Sequence, residues 1–538
     1  MWRRAAIVAV LLAVLCVDFH GFSTQHLFAQ HIWDTVGLLR LARFTGLFLA
    51  VAVPILLMAP WTFAGLAIGF VALATAIAVG PLPVLAVVLF LLSSCTVGTR
   101  LVGESHLLGT LTGVGLYVCL MTLLANFPVN YPAVWACILI APVLVDWRSV
   151  RQRGRHWGTL LRSAELRPWS ERCAAALFAF VVLMHWLVVL EPEKSADGLA
   201  MHLAVATNIA TRHMFTFQPA MYVWAVMPKG ADFAYSIVYI LGGEFAARLL
   251  NLAMLLLLEG LLYRALRRST STAVSLFLAA LFATTPMVQL VTGSLFVENT
   301  MAAMIFGAVS ALWVFGETKH RGFLYAAAVL GGTALAVKVG ALSFLAVGAP
   351  FLIWEVAVRE GAVREGAKLR KSLAACTLAL VLFAITGVPA YGIAWWKTDN
   401  PIFPFKNDTI HSPLLDPTVT FVDNEFRKPL AWSNPFDLAF RTHGFYEGQN
   451  GTLGFQYTLF LPLGLLAVLL IPSRRAIGSF AICVGASILI LRFGPVRWIV
   501  SKVARSCSIS ATSRWFLAPT MSSSPVTVQI ATRSSIRQ

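Results

Sequence analysis

Charge is scarce in this chain. Of 538 residues only 24 are Asp or Glu, and charged residues of both signs make up 12%. The mean hydropathy is +0.78, and 58% of residues are hydrophobic. A water-soluble domain carries roughly 25% charged residues, so that class is excluded. Cysteine pairing is missing too. The eight cysteines lie mostly inside apolar runs, with no CxxC and no Cys/His spacing, so neither a disulfide framework nor a zinc site is expected. There is no Asp-x-Asp pair of the kind that chelates a nucleotide-sugar metal, and no metal or other cofactor is expected. No phosphate-binding GxxxxGK loop or dinucleotide fingerprint stands out either. The formal charge is +17, but the Lys and Arg residues cluster in short stretches between apolar runs, where topology signals sit. No basic face with interleaved aromatics remains for nucleic acid, which is not expected as a partner.

What the chain has is apolar runs of membrane-crossing length. Those at 5–17, 44–59, 62–80, 82–97, 107–125 and 132–146 read as six N-terminal spans, the first opening Met1-Trp-Arg-Arg like a signal peptide or a short signal anchor. Residues 147–172 hold Arg148, Arg151, Arg153, Arg155, Arg162, Arg167 and Arg172, which predicts a basic cytoplasmic loop. Runs at 173–190, 244–263, 272–290, 299–315, 323–337, 341–357, 372–396, 456–472 and 477–491 follow. Counted from the basic loop, they place segments 191–233 and 397–455 on the outer face and the N-terminus in the cytoplasm. The 397–455 loop is long and rich in Pro, Asn and aromatics, so it is expected to fold against the membrane domain. The organisation read from this is spans over 1–146, the loop 147–172, a membrane domain over 173–494, and a tail over 495–538 expected to be disordered or aberrant. The fold class is an all-α integral membrane protein, a multi-pass bundle of about thirteen to fifteen spans with amphipathic helices in its outer loops. A bacterial-type plasma (inner) membrane is the expected location.

Residues 191–204, Glu-Pro-Glu-Lys-Ser-Ala-Asp-Gly-Leu-Ala-Met-His-Leu-Ala, combine three carboxylates and a histidine in membrane-like surroundings. Leu199, Leu203, Ala206 and Ile209 then recur at helical spacing and predict an amphipathic helix over 198–213. Acids at a membrane surface are costly unless something uses or pairs them. Asp197 is therefore read as a general base, or as the N-cap or a first-turn acid of that helix. Glu191 and Glu193 are read as solvated loop acids. His202 lies one turn beyond Asp197 and would touch substrate, orient the carboxylate, or simply pack as a polar residue. Glu298 opens a span, where it would orient acceptor or phosphate, or serve as a first-turn acid. Lys338 ends a span as a phosphate-binding cation or a snorkelling lysine. Lys397, Arg427, Arg441 and His443 are further candidates for phosphate contact. Few ionisable residues are expected at mid-span, Glu259 being one. Asn407-Asp-Thr and Asn450-Gly-Thr match the glycosylation sequon by pattern alone.

Four stretches together resemble GT-C glycosyltransferases, polytopic enzymes that use lipid-phosphate-linked sugars and include protein mannosyltransferase-like and lipid A aminoarabinose transferase-like members. Asp197-Gly-Leu-Ala-Met-His-Leu203 resembles the family's first outer-loop motif. Phe296-Val-Glu-Asn-Thr300 resembles its second acidic motif, with Glu298 where Asp is usual. Gly331-Gly-Thr-Ala-Leu-Ala-Val-Lys338 resembles its small-residue span ending in Lys. Trp395-Trp-Lys-Thr-Asp-Asn-Pro-Ile-Phe-Pro-Phe405 resembles its Trp-rich exit into an outer loop, with Asp399 where Gly is common. The resemblance covers about 173–490 and leaves six spans ahead of it. It implies transfer of a sugar from a polyprenyl-phosphate donor to a glycan, lipid or protein acceptor at the outer face. Asp197 would be catalytic, and His202, Glu298, Lys338, Lys397 and Arg441 would bind substrate. A polytopic transporter or lipid-glycan flippase, or an inactive or truncated relative, are the alternatives.

Overall fold

A computed structural model describes residues 2–27, 34–163, 168–216, 227–346, 366–418, 431–445 and 449–470. The expected span at 477–491, most of that at 341–357, Arg427 and the 495–538 tail lie outside the described residues. Within them the chain is helical and has no strand. Eight helices are long and apolar enough to cross a membrane, or up to eleven if each of three bent pairs is one span. The chain is an all-α, multi-pass membrane protein.

The helices follow the apolar runs. They are α1 (Trp2–Thr24), α2 (Thr35–Met58), α3 (Phe63–Val79), α4 (Pro81–Val102), α5 (His106–Leu124) and α6 (Pro132–Val145). The residues expected to form a basic loop are largely helical instead, as α7 (Trp147–Ser163). It is bent 80° from α6. Next come α8 (Trp169–Val189), a π-helical turn (Gly198–Leu203), α9 (Ala204–Arg212) and α10 (Gly230–Leu266). Helix α10 is broken at Gly243: its second part starts where the span was expected, at 244, and carries Glu244 and Arg248, while the part from Gly230 puts Asp232 in a helix rather than a loop. Residues α11 (Thr272–Ala283) and α12 (Pro286–Gly293) form one pair bent by 66°. They lead to α13 (Glu298–Thr318) and α14 (Arg321–Val337), then α15 (Gly366–Gly387), α16 (Pro389–Thr398) and α17 (Gln456–Leu470). Helices α15 and α16 form another bent pair, at 49°.

Helices α4, α5, α10, α13 and α14 bury one continuous core that includes Phe90, Leu111, Met121, Tyr235, Ile237, Leu250 and Leu330. Lipid tails are as apolar as leucine, so helices associate through close packing rather than through escape from water. That needs small residues at the crossings. A Cβ on Gly98 of α4 would lie 1.9 Å from the Gly109 carbonyl of α5, and one on Gly332 of α14 would lie 2.5 Å from the Phe383 carbonyl of α15. The small-residue run before Lys338 is thus a packing surface. By contrast, α1, α2 and α3 are mostly exposed, as lipid-facing helices are.

The loop ends sort into two sets. At one end Arg153 reaches Thr99 and Asp146, and Arg268 pairs with Glu317. At the other, Asn130 donates to the His213 carbonyl at 2.8 Å and Phe215 N–H to the Ala125 carbonyl at 2.7 Å. Arg153 and the basic end of α10 share one end, where His106 lies within electrostatic reach of both Arg153 and Arg264, and residues 190–216, 229–232 and 294–298 gather at the other. Part of the long loop does fold against the bundle, because Phe440 and Phe455 pack edge-on to Phe22 of α1, with ring centroids 5.7 and 4.8 Å away.

Candidate functional site

The site is built on a loop held by a buried ion pair. Glu193 is not a solvated acid. Its side chain is 1% exposed and accepts from Arg248 Nη1 at 2.5 Å, Leu295 N–H at 2.6 Å and Ser195 Oγ at 2.6 Å. Arg248, 3% exposed, also donates to the carbonyls of Val188, Val189 and Gly293. A guanidinium has donors enough to satisfy the last carbonyls of α8 and the end of α12 at once. Glu244 completes the knot by accepting from Glu193 N–H at 2.6 Å. Only Glu191 behaves as expected, exposed and paired with Lys194 at 2.7 Å.

From this anchor the chain turns into the π-helical segment. Ser195 Oγ accepts from Gly198 N–H at 3.0 Å, so Ser195 takes the capping role. Asp197 itself has helical dihedrals and makes no cap bond. Asp197 therefore does not cap the segment by a side-chain bond, and it sits as an acid in the first turn. Among the described residues its carboxylate has no hydrogen-bond or ion-pair partner. Burial comes first among the forces on it and, with the nearby Glu298 carboxylate, lifts its pKa above the ordinary aspartate range; His202 and Lys338 pull the other way. The π turn also shifts the expected amphipathic face. Val205, Ala206 and Ile209 are buried but Leu199 is exposed, because the wider winding changes register before α9 begins.

His202 is buried beside Asp232, with Nδ1 2.7 Å from Asp232 Oδ1. Burial disfavours its charge most strongly, yet the carboxylates of Asp232 and Glu298 outweigh this and raise its pKa. Phe296 lies edge-on to the imidazole, with centroids 5.9 Å apart. Glu298 forms an ion pair with Lys338 through Oε1, and its Oε2 is buried without a partner among the described residues. The motif around Glu298 is fixed from below. Tyr235 donates to the Phe296 carbonyl at 2.7 Å, and Asn299 donates to Asn251 Oδ1 at 3.1 Å and to Thr292 Oγ1 at 2.9 Å.

Asp197, His202, Glu298 and Lys338 thus share one electrostatic cluster. Lys397 is close enough to act on Lys229, which also feels Asp232. Burial drives the Lys229 pKa down to about 7, with Asp232 opposing and Lys397 adding to the fall. Arg441 is not brought there. It pairs with Asp437 at 3.2 Å and lies over Phe436, in the loop segment packed near α1. His443 sits in the same segment, 2.5 Å from Asn450. Asp232, Lys229, Arg248 and the anchoring role of Glu193 were missed in the sequence. The available signal for Asp232 was a carboxylate opening an apolar helix, the same one that singled out Glu298.

Among the described residues no group of three or more His, Cys, Asp and Glu could hold a metal ion. The arrangement offers a reachable carboxylate, an imidazole fixed by a second carboxylate, and lysines beside them, all where helices end. Such a set can accept a proton and bind an anion. No family model, curated protein or solved structure matches the chain.

Proposed function

We propose that this chain is a GT-C-type glycosyltransferase that moves a sugar from a polyprenyl-phosphate donor to a glycan, lipid or protein acceptor at the outer face of a plasma membrane. The observation that carries the reading is the half-buried carboxylate of Asp197, unpaired among the described residues and within electrostatic reach of His202, Lys338 and Glu298, at the end of the bundle away from Arg153 and Arg264. A lipid-linked donor keeps its tail in the bilayer, so its reacting carbon must be met where the helices end. In the reaction the acceptor oxygen or nitrogen bonds the anomeric carbon while its proton passes to Asp197. The anomeric C–O bond to phosphate breaks, and the electron pair leaves on the lipid phosphate. Lys338 exchanges its Glu298 partner for that phosphate, with Lys397 and Lys229 nearby. Asp232 holds His202 in one orientation beside the reacting groups. Four of the residues that the family resemblance singles out, Asp197, His202, Glu298 and Lys338, act on one another electrostatically, which supports the reading.

Membranes supplied with labelled polyprenyl-phosphate sugars test this. Transfer by the wild type, lost in a folded Asp197→Asn variant, is expected. No transfer from any donor would overturn the reading.

A second reading has its own support. Three bent helix pairs and Glu259, buried in α10 with both carboxyl oxygens unpartnered, are features that transporters use. A lipid-glycan flippase would move labelled lipid across vesicles without forming a glycosidic bond.

A further inference from the structure

Helix α7 is the most basic element of the chain and takes no part in the site above. Its seventeen residues contain five arginines and no acid. A solvated surface helix would scatter such charges, whereas here they are sorted by face. Val150, Arg153 and Trp157, spaced three and four apart, form the docked side. Val150 is buried, Arg153 donates to Thr99 Oγ1 at 2.7 Å and pairs with Asp146 at 3.3 Å, and Trp157 meets His106 with ring centroids 6.0 Å apart. Arg148, Arg151 and Arg155 repeat the same spacing two residues earlier or later, a little over half a turn away, and all three are exposed. Trp147 at the start of the helix and Trp157 at the edge of its docked side remain 56% and 49% exposed.

The depth of the helix is set by its partners. Thr99 and His106 end α4 and begin α5, so α7 is pinned at the level where spanning helices stop. It is bent 80° from α6, which lays it across the bundle axis. That is the position and composition of an interfacial helix: tryptophans at the boundary and arginines on the polar face. Arg153 is already used as the pin, and Asp146 is the acid that neutralises it. Arg148, Arg151 and Arg155 have no acid on their own helix to meet.

We infer that the Arg148, Arg151 and Arg155 face of α7 binds the headgroups of anionic phospholipids in the adjoining leaflet. A helix is about 10–12 Å across, and charges act over a Debye length of about 10 Å at 0.1 M salt, so the whole face lies within reach of a charged surface. A basic side chain near such a surface contributes roughly fivefold in affinity, and three give on the order of a hundredfold. The binding is independent of the enzymatic reading.

The test uses the full chain in nanodiscs of phosphatidylcholine alone or with about 30% phosphatidylglycerol, following backbone amide exchange. Exchange across 147–163 should slow at least about tenfold with phosphatidylglycerol, and about 0.5 M salt should reverse this. The slowing should vanish in the Arg148→Gln/Arg151→Gln/Arg155→Gln variant while α5 and α10 exchange as before. It should persist in the matching Lys variant, and in Arg40→Gln/Arg43→Gln, which removes two exposed arginines from α2. Equal exchange in the two bilayers overturns the inference. So does slowing that survives the triple Gln change, or that is lost equally in the α2 control.

Discussion

Replacing Arg248 by Met breaks the knot that holds residues 191–198 to the bundle. The guanidinium satisfies Glu193 and the carbonyls of Val188, Val189 and Gly293, at distances from 2.5 to 3.1 Å. Both side chains of the pair are nearly sealed from solvent. Removing one partner of such a pair leaves the other charge buried alone, which costs about 3–5 kcal/mol. Glu193→Gln should also destabilise, because its single amide oxygen can serve either Arg248 and Leu295 N–H or Ser195, and its NH2 group then faces the donors of the other set. In the double variant no lone charge remains, so the two losses should not add. The expected coupling is about 2–3 kcal/mol. Chemical unfolding in mixed micelles measures all four proteins of the cycle. Singles within about 0.5 kcal/mol of wild type, or strict additivity, would refute the claim that this pair holds the loop. Loss of sugar transfer in either single variant, with donor binding retained, would follow from a displaced Asp197.

Further outcomes follow from the cluster. The Asp197 pKa is raised, so its ionised form opposes folding: the stability it contributes is present below 3.8 and is lost as pH rises through the folded value. Asp197→Asn should therefore melt at or above the wild-type temperature at neutral pH while losing transfer, and a drop in melting temperature would contradict this. The acid limb of the wild-type rate profile should lie above the ordinary aspartate range, as a base must lose its proton first. The raised His202 pKa contributes stability that is complete below 6.5 and lost as pH climbs past the folded value. Asp232→Asn should flatten that decline in melting curves recorded above pH 6.5. Gly198→Ala puts a Cβ 2.4 Å from Ser195 Oγ and 2.5 Å from Glu193 Cδ, so it should lower the melting temperature and disturb the loop even though Ala favours helix. Gly243 has φ 74° and ψ −166°, a region nearly closed to other residues, and Gly243→Ala should cost about 1–3 kcal/mol in the same unfolding assay.

How much of this could be read beforehand depends on which physical term speaks in sequence. Spans announce themselves because a bilayer demands about twenty apolar residues in a row, and the N-terminal helices fall where the runs do. Asp197, His202, Glu298 and Lys338 stood out as polar groups in apolar company, and they meet. Glu193 was misjudged because its burial depends on Arg248, which lies 55 residues away in the next span, and a pairing at that separation leaves no local signal. Asp232 was missed because the helical stretch ahead of Gly243 was read partly as loop. The helical turn of α7 hid behind its charge, which reads as a loop when hydropathy alone is followed. Arg441 shares its type with a phosphate ligand, but type does not reveal which end of a long loop packs on α1.

The break at Gly243 gives helix α10 two rods rather than one. Asp232 stands on the first and Arg248 on the second, and the same short loop is tied to both, through His202 and Glu193 respectively. The loop therefore bridges the joint like a strut. Any change of angle between the rods must be taken up over residues 193–202, and the wide π turn is the part of that strut with slack in its winding. Asp197 sits at the start of it.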